Sequence, residues 1–264
     1  MLSLRIGRAR SPGWTMARKN PGDILTCDWN PIIGCERFSA GCRSCWYLDG
    51  IFPWQQRLGN IPPAVRSEDS HVFPTRLTEE SLFPKNGIVG VVQHGDLFRD
   101  RVPDQTIEQV LATIKAVAAR KRRTPTYILW TKRAKRMVDI LERLYPAGMP
   151  PYLAAAISVE DQACADERLP EFARIKGTRI IVLEPLLGPV DLSPYLPVDW
   201  LVVGSETGKD ARPLNLEWVR LLRDQALVAS GIPLFVKQLG MSHKEPQREL
   251  DGRTWDQFPE GFTK

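Results

Sequence analysis

Six short apolar runs, separated by amphipathic stretches, constrain the fold of this chain more than any other feature of its sequence. The runs are residues 87–95, 124–131, 152–159, 178–185, 199–205 and 232–238. Each run is almost continuously apolar, which is typical of a strand that is buried on both faces of a parallel sheet. We therefore predict six strands of this kind.

Helical periodicity lies between these runs. Apolar residues recur at i, i+3, i+4 and i+7 in residues 103–120, 133–144 and 215–229. Pro103 and Asp104 form a start signal for the first of these helices. The alternation of strands and helices predicts right-handed βαβ units around one mostly parallel sheet. Two architectures satisfy this order: an open doubly wound sheet, and a full or partial (β/α) barrel.

Polar or ionisable residues follow each of the six runs. They are Gln93, His94 and Asp96; Thr131 and Lys132; Ser158 and Glu160; Glu184; Ser205 and Glu206; and Lys237 and Gln238. Strand ends that simply meet solvent would explain about half of them, but Glu184 follows an apolar run and precedes a proline. In a barrel the carboxyl ends of the strands converge on one mouth, so the pattern favours a barrel with an active site there.

Less regular segments flank the predicted strands. We expect a helix near residues 44–58, then a loop over one side of the sheet, and a hairpin at Asp251-Gly252 near the end of the chain. The expected division is a basic, flexible tail over residues 1–23, a barrel-like catalytic domain over 24–240 and a C-terminal cap over 241–264.

The net charge of +5 is concentrated in the first twenty residues. Their charged side chains are Arg5, Arg8, Arg10, Arg18 and Lys19. The rest of the chain is balanced, so only this tail suggests contact with nucleic acid, and Met16 is an alternative start. No apolar run is long enough to span a membrane and the tail lacks the apolar region of a signal peptide, so we expect a cytoplasmic protein.

Three of the five cysteines lie within eleven residues. Cys35, Cys42 and Cys45 have the spacing C-x6-C-x2-C, and the odd total argues against a disulfide framework. A C-x2-C pair lets two thiolates reach one metal from a single turn. Zinc would require a fourth ligand, but no histidine is near in sequence, Cys27 is expected in a strand core and Cys164 in a helix. Three ligands with one open position suit an iron–sulfur cluster that binds a substrate or cofactor.

Seven segments of the chain resemble, in order, the phage Gp37/Gp68-like family, also called DUF5131. They are DWNPIIGCERFSAGCRSCW, GDLFRDRVPDQTIEQV, LWTKRAKRM, ISVEDQACADERLPEF, LEPLLGPVDL, VVGSETGKDARPLN and FVKQLG. A three-cysteine loop followed by β/α units is also similar to the radical S-adenosylmethionine superfamily, whose usual spacing is C-x3-C-x2-C. Among the members of that superfamily, the spore-photoproduct-lyase-like proteins resemble this chain most in the arrangement of their motifs.

The resemblance implies a partial or full (β/α) barrel of the radical S-adenosylmethionine type. It implies that Cys35, Cys42 and Cys45 ligate a [4Fe–4S] cluster whose open iron binds S-adenosylmethionine. Reductive cleavage to a 5′-deoxyadenosyl radical would then act on an unidentified substrate, with nucleic acid as one candidate. An electron donor such as flavodoxin or ferredoxin is the implied partner.

The resemblance also implies cofactor contacts at the predicted strand ends. Contacts to the methionine part of S-adenosylmethionine are expected from Gln93, His94, Asp96 and Lys132. Contacts to its ribose are expected from Ser158 and Glu160. Three of these residues have a structural alternative: Asp96 would cap a turn, Lys132 would lie on a solvated face, and Glu160 would begin the next helix.

Three later strand ends would face the substrate as candidate catalytic residues: Glu184, Glu206 and Lys237. Their alternative is a set of salt bridges between neighbouring strand ends. The turn over residues 204–208 also resembles a glycine-rich loop that contacts phosphate or ribose, which is a weak signal by itself.

Two other classes of function fit parts of the sequence. A nucleic-acid-associated binding protein would use the cysteine loop to hold a structural metal and the basic tail to contact phosphates. A cysteine-based hydrolase or transferase would require a histidine partner brought from a distant part of the chain.

Overall fold

The computed structural model describes residues 14–16, 22–77, 86–120, 124–208, 210–229, 231–241 and 247–262. The strands are β1 (Trp14–Met16), β2 (Cys27–Trp29), β3 (Ile32–Ile33), β4 (His71–Val72), β5 (Ile88–Val91), β6 (Thr126–Thr131), β7 (Leu153–Ser158), β8 (Thr178–Leu183), β9 (Trp200–Gly204), β10 (Leu234–Gln238), β11 (Glu249–Leu250) and β12 (Arg253–Thr254). The α-helices are α1 (Phe52–Arg57), α2 (Asp104–Arg120), α3 (Ala134–Leu144), α4 (Gln162–Phe172) and α5 (Leu216–Val228).

Seven parallel strands form one curled sheet in the order β2-β5-β6-β7-β8-β9-β10, and β1 pairs antiparallel with β2 at its edge. Each parallel strand lies beside the next one along the chain, so the winding never reverses. A doubly wound sheet would reverse at a switch point. The sheet is therefore a half-barrel, which confirms the partial barrel and excludes the doubly wound alternative.

Alternate residues of the strands enter two separate cores, because successive side chains of a strand point to opposite faces. On the outer face, Leu129 and Ile157 belong to the core that contains Met137 of α3. On the inner face, Ile128, Ala156 and Trp200 belong to a second core. The C-terminal segment closes the bottom of this inner face with aromatic rings: Phe258 lies 5.1 Å and Phe262 5.6 Å from the ring of Trp200.

The local predictions hold at several other places. A π-helix, Trp46–Ile51, runs into α1 where a helix was expected near residues 44–58. The hairpin between β11 and β12 turns at Asp251 and Gly252, both with positive φ (54° and 74°), as a tight two-residue turn requires. In the part of the chain that is described, no helix is long and apolar enough to cross a membrane. The basic residues expected in the tail lie outside the described residues.

Candidate active site at the mouth of the half-barrel

The cysteine loop leaves the carboxyl end of β2, the first parallel strand of the half-barrel. Gly34 donates its N–H to the carbonyl of His94 (3.0 Å), and the Cys35 N–H is donated to the carbonyl of Ser67 (2.7 Å). Gly34 has a φ of 110°, and a Cβ there would lie 1.8 Å from the carbonyl oxygen of Asp69. Only glycine fits this position, so the backbone fixes where the loop begins.

The three thiols of the loop lie in different surroundings. Cys35 and Cys45 pack against an apolar cluster that contains Tyr47 and Phe52, while the Cys42 Sγ lies 3.8 Å from the Ser39 Oγ. Burial, followed by the negative charge of Asp96, raises the pKa of Cys35 to about 12. Burial also raises the pKa of Cys45. Both thiols are therefore protonated at neutral pH unless a metal displaces the proton.

The donor set of the loop fits an iron–sulfur cluster in its chemistry. Thiolates are the ligands that such clusters take, and Cys45 lies close enough to Cys35 and Cys42 to act on both electrostatically. Among the residues the structure describes, however, no group of three or more His, Cys, Asp or Glu side chains is arranged to hold a metal ion. To bind a cluster, the loop must bring its three Sγ atoms together and release their protons.

Glu160, at the end of β7, is fully buried beneath the cysteine loop. Its carboxylate pairs with Lys132 (2.8 Å) and with Arg168 (2.6 Å), and it accepts a hydrogen bond from the Ser39 hydroxyl of the loop. A Cβ on Gly41 would lie 2.5 Å from the Glu160 Cγ, so the loop backbone rests directly on this carboxylate. Glu160 thus anchors the loop to the strand ends.

Ser158, the other predicted ribose contact, and the start of α4 both lie beside Glu160 in the chain. Ser158 is buried at the end of β7, and its carbonyl accepts a hydrogen bond from Arg168 (2.7 Å). The start of α4 is capped by Asp161, whose side chain accepts the N–H of Cys164 (2.9 Å). Capping is therefore the role of Asp161 rather than of Glu160.

Asp96 forms a second buried ion cluster at the mouth. It pairs with Arg133 (2.8 Å) and accepts hydrogen bonds from the Thr131 hydroxyl (2.8 Å) and from the N–H of Phe98 (2.9 Å). The last bond is the turn contact that was the structural alternative for Asp96. Both carboxylate oxygens of Asp96 thus accept hydrogen bonds, and they tie the segment after β5 to the end of β6.

Gln93 and His94 follow an unusual bend at the end of β5. Val92, a β-branched residue, has a φ of 57°, which such residues rarely adopt outside functional sites. His94 stacks on Tyr47 with ring centroids 5.5 Å apart, and burial, aided by the positive charge of Arg76, lowers the pKa of His94 to about 4. The imidazole is therefore neutral at pH 7.

The three candidate catalytic residues form two ion pairs. Lys237 pairs with Glu184 (2.6 Å), whose other oxygen accepts a hydrogen bond from Gln238 (2.7 Å). Glu206 pairs with Arg212 (2.6 Å). Arg212 also donates to the carbonyl of Ala40 in the cysteine loop (2.8 Å). Glu184 and Lys237 thus form a salt bridge across the intervening strand β9, while Glu206 pairs with an arginine outside the predicted set. The Glu206–Arg212 pair also holds the cysteine loop.

The family profile described as "Protein of unknown function (DUF5131)" matches residues 24–259. The chain belongs to this family. The DUF5131 match spans the cysteine loop, all seven parallel strands and most of the C-terminal cap. No curated protein matches the chain. The search of solved structures also found no match.

The structure of this DUF5131 protein adds a residue that sequence reasoning missed. Asp28 lies between Cys27 and Trp29, which both belong to the outer core, so its side chain faces the inner side of the half-barrel. Burial raises the pKa of Asp28 to about 7, although the charge of Lys237 acts in the opposite direction. The only signal in the sequence was a carboxylate in the middle of a short apolar strand.

Gln93 lies beside Asp28 on the same inner face. Asp28 pairs in register with Gly90, and a Cβ on Gly90 would lie 2.7 Å from the Gln93 Cγ. Glycine therefore leaves the space that the Gln93 side chain occupies. The buried Nε2 of Gln93 has no hydrogen-bond partner among the described residues, so it remains available as a donor.

Proposed function

We propose that this DUF5131 protein is an iron–sulfur enzyme that reductively cleaves S-adenosylmethionine to a 5′-deoxyadenosyl radical and acts on a further substrate. The observation that carries the proposal is the position of the three-cysteine loop. It follows the first strand of a sequentially wound parallel half-barrel and lies on the carboxyl ends of later strands. This is where barrel enzymes carry their active sites.

Cys35, Cys42 and Cys45 would hold the [4Fe–4S] cluster in this proposal. When bound, the cluster and S-adenosylmethionine supply the electron transfer that breaks a carbon–sulfur bond. The protein supplies position and shelter from water. An external electron donor, such as flavodoxin or ferredoxin, must reach the exposed side of the loop, where Trp46 is 47% exposed.

Among the residues proposed to contact S-adenosylmethionine, Gln93 has the clearest free donor, its buried Nε2. The neutral imidazole of His94 offers an additional polar contact beside it. Asp96 is already paired with Arg133, and Glu160 is paired with both Lys132 and Arg168. We therefore assign Asp96, Lys132 and Glu160 to positioning the loop and the strand ends. Ser158 lies beside them on the inner face of β7.

The substrate would lie deeper in the half-barrel, above the apolar core closed by Phe258. Glu184 and Lys237 are about a fifth to a quarter exposed there (21% and 24%), and the charge of Lys237 reaches Asp28. Together they provide a carboxylate, an ammonium group and a carboxyl group that titrates near neutrality. Such a set can move protons or bind a polar substrate. Glu206 acts on the loop through Arg212. Nucleic acid remains a candidate substrate through the basic residues of the tail, which lie outside the described residues.

Product analysis tests this proposal. The protein is purified without oxygen, reconstituted with iron and sulfide, and incubated with dithionite and S-adenosylmethionine. We expect release of 5′-deoxyadenosine by the wild-type protein and none by Cys42→Ala. Cys27→Ala is the matched control, because it removes a thiol from the outer core without altering the loop. A cluster-loaded wild-type protein that releases no 5′-deoxyadenosine would refute the proposal.

A further inference from the structure

Arg99 is a buried arginine that has no negatively charged partner among the described residues. Its side chain is 0% exposed, and it follows the turn that begins at Asp96. One terminal nitrogen, Nη2, donates to the Ser70 hydroxyl (2.7 Å) and to the carbonyl of Glu68 (3.0 Å). The Nε and Nη1 atoms have no hydrogen-bond partner within the described part of the chain.

Two other buried arginines at the mouth are neutralised by carboxylates. Arg133 pairs with Asp96 at 2.8 Å and Arg168 pairs with Glu160 at 2.6 Å. For Arg99 no ion pair forms among the residues that are described, and both of its contacts are to uncharged oxygens. A buried charge without a counter-charge is costly, so the arrangement calls for an anion at this point.

Arg99 and Cys35 are held by the same short segment of the chain, residues 67–70. The carbonyl of Ser67 accepts the N–H of Cys35 (2.7 Å), and the next acceptors along this segment, the carbonyl of Glu68 and the hydroxyl of Ser70, bind Arg99. Cys35, Ser67 and Glu68 also line one cavity of about 320 Å³, which provides space for a group larger than a thiol.

We propose that Arg99 is the buried counter-charge of the metal centre at Cys35 and makes that centre easier to reduce. The inference rests on the proposed function, since the anion is the thiolate-ligated cluster. A nearby positive charge stabilises the more negative, reduced state of such a cluster. Arg99 is a positioning and tuning residue, and its guanidinium needs no contact with substrate for this role.

The test compares four variants with the wild-type protein: Arg99→Met and Arg99→Gln remove the charge, Arg99→Lys keeps it, and Arg57→Met removes an exposed arginine from α1 as the control. Circular dichroism first establishes which variants fold, and Arg99→Gln keeps a donor for Ser70 in case Arg99→Met does not fold. Iron and sulfide per chain, and the midpoint potential from an EPR-monitored titration, are then measured.

We expect the neutral variants to lower the equilibrium constant for reduction at least tenfold, which is 59 mV for one electron. Arg99→Lys retains most of the wild-type value and Arg57→Met retains all of it. Folded neutral variants that lose the cluster, while Arg99→Lys keeps it, also support the inference. A neutral variant with wild-type potential and iron content overturns the inference alone. A wild-type protein that takes up no cluster overturns the proposed function and this inference together.

Discussion

The buried carboxylate of Glu160 allows a quantitative test of how the mouth of the half-barrel is held together. Burial alone would raise the pKa of Glu160, but the positive charges of Lys132 and Arg168 outweigh burial and hold the pKa at about 2, below the ordinary 4.5. That difference corresponds to about 3 kcal/mol of folding free energy at neutral pH. Replacing Glu160 with glutamine removes this contribution and leaves two cations without their counter-charge.

We therefore expect Glu160→Gln to lower the free energy of unfolding at pH 7 by about 3 kcal/mol, a large fraction of what a domain usually has. Urea unfolding measures it, with Glu167→Gln as the matched control. Glu167 is exposed on α4, the helix that follows Glu160, so its substitution removes the same charge without disturbing the ion cluster.

The pH dependence of the same comparison has a definite sign. A carboxyl whose pKa is lower in the folded state stabilises the protein above the unfolded pKa, here about 4.5, and this stabilisation is lost as pH falls towards about 2. The difference between wild type and Glu160→Gln must therefore narrow between pH 4.5 and 2. A difference below about 1 kcal/mol at pH 7, or one that is unchanged at pH 3, would refute the reasoning.

Three further substitutions test other parts of the site. Gly41→Ala destabilises the protein by about 1–3 kcal/mol in urea unfolding, because its Cβ would overlap Glu160, whereas Gly50→Ala, which has open space, stays within about 0.5 kcal/mol. Asp28→Asn stabilises the protein at pH 8 and leaves its stability unchanged near pH 4. The folded-state pKa of Asp28 is about 7 and its unfolded pKa is 3.8, so at pH 8 the ionised carboxylate destabilises the folded protein relative to the unfolded chain. Equal effects of the substitution at both pH values would exclude a raised pKa of Asp28. Arg212→Met speeds hydrogen exchange in the cysteine loop, because it removes the bond to a loop carbonyl; unchanged exchange would show that this bond does not hold the loop.

Much of the scaffold could be predicted because its strands are long and apolar. The run predicted at residues 152–159 is the strand Leu153–Ser158, and the helix predicted at 103–120 is Asp104–Arg120. Strands of two or three residues, such as β3 and β4, are too short to produce any periodicity. The half-barrel itself followed from the polar strand ends, since these distinguish a mouth from an ordinary sheet edge.

The pairing of the polar residues could not be predicted from the sequence. Lys132 and Glu160 are 28 positions apart, and Glu184 and Lys237 are 53 apart, so their contacts depend on the curvature of the sheet. Arg99 gave no signal either, because a buried arginine without a carboxylate looks in sequence like any surface arginine. Both features depend on three-dimensional packing, which periodicity does not encode.

The most direct test of the central claim is an EPR spectrum of the anaerobically reconstituted, dithionite-reduced protein, recorded with and without S-adenosylmethionine. The account predicts a reduced [4Fe–4S] signal that changes when S-adenosylmethionine is added and is absent from Cys42→Ala. A protein that holds one zinc and no iron after the same treatment would contradict it, and the cysteine loop would then be a structural metal site.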